Sequence, residues 1–151
     1  MTTDHEKYKN EARKQWNNNP CGATLGDQQT LEYFKSVEVA RYKEYAPWMK
    51  RFYGFSEHRG LKLLEIGFGQ GTDLVQFAEG GAICYGVDIT QKHFELATQN
   101  FKLRGLKADL ILNDANNLYP MRMTPLMLCI VLVFYIILPI QIAVFQKLLE
   151  F

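Results

Sequence analysis

The chain has 151 residues, enough for one domain. Its net charge of +1 offers no electrostatic case for a nucleic-acid partner. Cys21, Cys84 and Cys129 lie far apart without a C-x-x-C pair, and His5, His58 and His93 do not cluster. That argues against a disulfide framework or a metal site and for a reducing, cytoplasmic setting.

Residues 4–16 read as a polar helix, broken by Pro20-Cys21-Gly22. Charges of both signs alternate over the first fifty residues, the pattern of solvated helix faces. A second helix is expected over 29–45, ending before Pro47, with Leu31, Phe34, Val37 and Arg41 near helical spacing. Residues 47–60 read as an aromatic connector carrying Trp48, Phe52, Tyr53 and Phe55. An alternating pattern follows: strand 61–66, helix 72–79, strand 83–88, helix 91–104 and strand 108–113. Such β-α-β-α-β order implies a parallel sheet with right-handed crossovers, the first half of a doubly wound, Rossmann-like α/β fold. Leu63, Leu64, Val87 and Ile111 are expected in its core.

The most informative run is Leu63-Leu64-Glu65-Ile66-Gly67-Phe68-Gly69-Gln70-Gly71-Thr72-Asp73. An apolar strand meets three glycines and then a helix start. Glycines there let backbone approach a ligand closely, and the helix N-terminus favours electron-rich groups. Asp88 ends the next strand, where a carboxylate can accept from two ribose hydroxyls. Asp114 follows the third strand. A dinucleotide fingerprint is G-x-G-x-x-G. Here the spacing is G-x-G-x-G, and Thr72 stands where that fingerprint wants its last glycine. An NAD-dependent oxidoreductase is therefore the lesser alternative.

These residues resemble the class I S-adenosylmethionine-dependent methyltransferases. The N-terminal run Gln15-Trp16-Asn17-Asn18-Asn19-Pro20-Cys21-Gly22, then Tyr33-Phe34 and Arg41-Tyr42, resembles the type 11 domain branch. The resemblance implies S-adenosyl-L-methionine as cofactor and a small-molecule methyl acceptor. It assigns Glu65, Gly67, Gly69, Gly71, Asp88 and Asp114 to the cofactor. Asp88 would hold the ribose and Asp114 the adenine amino group, with Thr72 and Asp73 starting the next helix. No catalytic base is assigned. Residues 1–60 would form a helical extension that packs on the domain or covers its pocket, and 61–120 a partial cofactor domain.

After Pro120 the character changes. Leu126 to Phe145 runs for twenty positions without a charge, a length and hydropathy compatible with a membrane span. Residues 121–151 are thus expected as a non-family, transmembrane-like tail, helical over the apolar run, with a membrane partner or location as the alternative to the cytoplasm. Read one codon frame over, the junctions from Met121 onward admit the family's fourth strand, S-F-D-x-V-x-S-x-G-V-L-x-H. A single-base shift near codon 120 is expected on that ground. The strand at 61–66 would then have an unpaired edge. The methyltransferase activity is thus expected of the family, and this truncated chain itself is expected to be inactive; the alternative is a non-catalytic, truncated and membrane-attached fragment.

Overall fold

The computed structural model describes residues 4–20, 23–117 and 127–131. Four parallel strands, β1 (Lys62–Ile66), β2 (Ile83–Asp88), β3 (Ala108–Leu112) and β4 (Met127–Val131), form one sheet in the order β3-β2-β1-β4. Helix α4 (Thr72–Glu79) joins β1 to β2, and α5 (Gln91–Leu103) joins β2 to β3. This is the α/β arrangement the alternating pattern predicts, with strand and helix ends within one or two residues of expectation.

The fourth strand corrects the sequence reading in two ways. First, β1 has no open edge: Lys62 to Ile66 pair in register with Ile83 to Val87 on one side and with Met127 to Val131 on the other. Second, the start of the apolar run is strand, not helix. An unbroken apolar stretch has neither a 2- nor a 3.6-residue period, so its state is set by its partner, here the free flank of β1. The rest of the expected helix, 132–145, lies outside the described residues. Among the described residues no helix is long and apolar enough to cross a membrane.

Before the sheet come α1 (Asp4–Asn18), α2 (Leu31–Val39) and α3 (Met49–Tyr53). Thr30 caps α2, its hydroxyl accepting from the Tyr33 N–H at 3.2 Å. The expected helix over 29–45 is not uniform: Ala40–Tyr45 widens into a π-helical turn, closed by the Ala46 N–H on the Arg41 carbonyl, five residues back, at 2.7 Å. The aromatic connector also holds more structure than expected, α3 and a 3-10 turn at Phe55–His58. Gly54, left-handed at φ 51°, ends α3.

The main core lies between β1, β2, α4 and α5 and contains Leu63, Phe68, Leu74, Val75, Phe77, Cys84, Ala97 and Phe101. Leu64 and Val87 are also buried. Ile111 is only half-buried, because β3 is an edge strand. Tyr33, Phe34 and Val37 of α2 pack with Leu96 of α5, seating the helical extension on the sheet domain.

Candidate functional site: a cavity at the carboxyl ends of the strands

The strand ends are held level by the turns that leave them. The Gly67 N–H donates to the Val87 carbonyl at 2.8 Å, and the Asn113 N–H to the Asp88 carbonyl at 2.9 Å. Gly67, Gly69 and Gly71 all have positive φ, between 57° and 76°, a region costly for residues with a Cβ. Their reasons differ. At Gly69 an added Cβ would meet nothing within 4 Å, so the loop faces open space there. At Gly71 it would lie 3.3 Å from Ala97 Cβ and Phe101 Cε2, so this glycine lets the start of α4 pack on α5.

Asp88 is buried at the end of β2. Its Oδ2 accepts from the Gly69 N–H at 2.9 Å and its Oδ1 from the Thr90 N–H at 2.8 Å. One carboxylate thus ties the glycine loop to the start of α5. An ionised carboxylate has about four acceptor positions, so two remain beyond these backbone bonds. His93 Nδ1 lies 3.5 Å from Oδ2, and the imidazole stacks at a tilt on Trp16 of α1, with centroids 5.8 Å apart.

A cavity of about 140 Å³ opens over these strand ends. It is lined by Ile66, Gly67 and Val87 to Ile89 at the ends of β1 and β2, by Asn113 to Asn116 after β3, and by Lys9 and Ala12 of α1. Asp114 stands in a tight turn, its Oδ1 accepting from the Asn116 N–H at 2.9 Å. Its Oδ2 accepts from Lys9 Nζ at 2.6 Å. Burial alone would raise the Asp114 pKa, but the hydrogen bonds from Lys9 and the Asn116 N–H, with the Lys9 charge, together outweigh it and hold the carboxyl below its ordinary value.

The structure therefore brings Gly67, Asp88 and Asp114 to one cavity. Glu65, Gly69 and Gly71 are not among the residues that line it. Glu65 is buried, with Oε2 lacking a hydrogen-bond partner. Burial, reinforced by the nearby Asp73 carboxylate, raises its pKa well above the ordinary value. Asp73 is likewise turned to the protein. It accepts from Arg41 Nε at 2.7 Å, from Arg41 Nη2, and from the Tyr42 hydroxyl at 2.5 Å. The π-helical turn thus locks onto the first turn of α4, where an acidic side chain also suits the helix dipole. Burial, then the neighbouring Asp73 charge, raises the Tyr42 pKa and keeps the phenol protonated.

Lys9 was missed in the sequence. It is one of several lysines on a polar helix, and only the fold shows which of them meets Asp114.

A parallel α/β sheet with a glycine turn after β1 and acids ending β2 and following β3 is the architecture of a nucleotide-binding domain. The family described as Methyltransferase domain matches residues 63–150, more than half of the chain, and the chain belongs to that family. Among solved structures, the chain is similar to the magnesium protoporphyrin IX methyltransferase ChlM from Synechocystis PCC 6803. With bound SAM, that likeness has a TM-score of 0.51 at 20% identity, covering 78% of this chain and 57% of that one. With bound SAH, the values are 0.50, 20%, 72% and 52%. The plantazolicin methyltransferase BpumL in complex with SAH gives a TM-score of 0.56 at 16% identity, covering 95% of this chain and 57% of that one. At these identities the likeness is one of fold. The chain spans little more than half the length of these structures. No curated protein matches it.

Proposed function

We propose that the chain is the cofactor-binding part of an S-adenosyl-L-methionine-dependent methyltransferase that acts on a small molecule. The observation that carries this reading is the pair of carboxylates, Asp88 and Asp114, that line one cavity at the strand ends. The residues suit an adenosyl group. Asp88 retains acceptor positions for two ribose hydroxyls, Asp114 offers an acceptor for an exocyclic amine, and the space at Gly69 admits a close approach to the backbone. Family membership and the SAM or SAH bound in the similar ChlM and BpumL structures support the cofactor.

When bound, the cofactor supplies an electrophilic sulfonium methyl. The chain's share of the work is placement, because orienting reactants is where much of such a rate enhancement arises. Asp88 fixes the ribose and, through the Gly69 N–H, the loop that faces it. The Arg41–Asp73–Tyr42 contact fixes the start of α4 and so the other end of that loop. The buried Cys84 thiol, its pKa pushed up to about 12 by burial, stays protonated and takes no part in the chemistry.

Calorimetry tests the reading. The chain should bind S-adenosylhomocysteine in preference to NAD. Asp88→Ala should weaken that binding by roughly 1.5–3 kcal/mol for each charged hydrogen bond lost. Preferential binding of NAD, or unchanged affinity in a folded Asp88→Ala protein, would reject it.

A further inference from the structure

Lys9 holds the position that the functional reading gives to a ligand. Its ammonium is 2.6 Å from Asp114 Oδ2, and Oδ1 is already bonded to the Asn116 N–H. The cavity beneath, about 140 Å³, is also smaller than the ~300 Å³ at which ligand pockets begin. Lys9 has a second partner ready. Glu6, one turn back on α1, accepts from the same Nζ at 3.1 Å and is itself about half exposed. Helix α1 does not depend on Lys9 for its seat. The Asn17 side-chain carbonyl caps the Lys92 N–H at 3.0 Å, and Trp16 stacks on His93.

We infer that Lys9 is a gate on the adenine corner of the cavity: it pairs with Asp114 when the corner is empty, and withdraws to Glu6 when the amino group of an adenosyl ligand takes its place. The inference rests on Asp114 as the receptor for that amine. It makes the ion pair a competitor of the ligand, so Lys9 lowers affinity instead of adding to it. Glu6 already contacts the same ammonium at 3.1 Å in the paired state, so the lysine keeps a partner when it leaves Asp114.

The test is calorimetry with S-adenosylhomocysteine on the whole chain. Lys9→Met should bind about fivefold more tightly, the upper worth of a partly exposed ion pair. Lys9→Arg should stay near wild type. Asp114→Ala in the Lys9→Met background should abolish the gain. Equal or weaker binding by Lys9→Met would overturn the gate. So would tightening accompanied by lost helix content in circular dichroism, which would assign the effect to undocking of α1. Binding that survives Asp114→Ala unchanged would remove Asp114 as the receptor and the gate with it, leaving Asp88 and the glycine loop in place. Absence of binding in every variant would instead sink the cofactor reading on which the gate stands.

Discussion

Replacing Asp73 by alanine should destabilise this domain more than removal of any exposed acid. The Asp73 side chain is only 3% exposed, and the Arg41 guanidinium it neutralises is 14% exposed. The substitution removes two bonds from Arg41 and one from the Tyr42 hydroxyl, whose single proton is then left to turn to the Thr72 carbonyl, 3.3 Å away. Removing one partner of a buried ion pair costs about 3–5 kcal/mol, because the other charge stays desolvated. Arg41 retains some contact with water, so the lower end, about 3 kcal/mol, applies. Against a typical domain stability of ~5–15 kcal/mol this is a large fraction. Urea denaturation followed by far-ultraviolet circular dichroism measures it as a lower midpoint. Combining Asp73→Ala with Arg41→Met should recover at least half of the loss, since no charge is then left buried. A loss below about 1 kcal/mol, the range of exposed pairs, or strictly additive single and double variants, would refute the reasoning.

Two further outcomes follow from local geometry and charge. Gly71→Ala places a Cβ at φ 75° and 3.3 Å from both Ala97 and Phe101. The left-handed backbone costs about 1–2 kcal/mol and crowding adds to it, so thermal unfolding should drop by several degrees; an unchanged midpoint would show that α4 and α5 can part freely. Asp114 has its folded pKa below the ordinary 3.8, so its contribution to stability is complete above that value and is lost as the pH falls through the lower folded value. Lys9 is the mirror case, raised above 10.5 first by its hydrogen bond to Asp114, so its contribution is present below 10.5 and disappears as the pH rises through the higher folded value. Asp114→Asn should therefore be less stable than wild type near neutrality and converge on it in strong acid, and a constant offset between the two across the acid range would contradict the ion pair.

What the sequence made legible was local. Glycine at 67, 69 and 71 announces positive φ after an apolar strand, and Asp88 ends a strand recognisable from its own residues, so the loop and its carboxylate could be placed without coordinates. Asp114 was placed by its position after the third strand. What stayed hidden depended on partners far along the chain. Nothing near Lys9 indicates that it meets Asp114, and nothing near Asp73 indicates that Arg41 and Tyr42 will claim it. Glu65 is assigned through the family resemblance, and nothing near it indicates that its side chain is buried in a strand covered on both faces, outside the cavity lining. The widening at Ala40–Tyr45 left no mark on a pattern of apolar spacing. At Met127–Val131 a uniformly apolar run erased the period that separates strand from helix, and only the waiting edge of β1 determined which it became.

That edge imposes an order on folding. Strands β1, β2 and β3 with their crossover helices are contiguous, and their pairings close short loops. The pairing of β1 with β4 joins Lys62 to Met127, across nearly half the chain. Loop closure over such a span comes at an entropic disadvantage that local contacts do not face. During synthesis, a growing chain emerges N-terminus first, so Leu63 and Leu64 leave the ribosome long before Leu128 and Cys129 exist. For that interval one flank of the central strand is bare, and a chaperone, or a neighbouring nascent chain, competes with β4 for it.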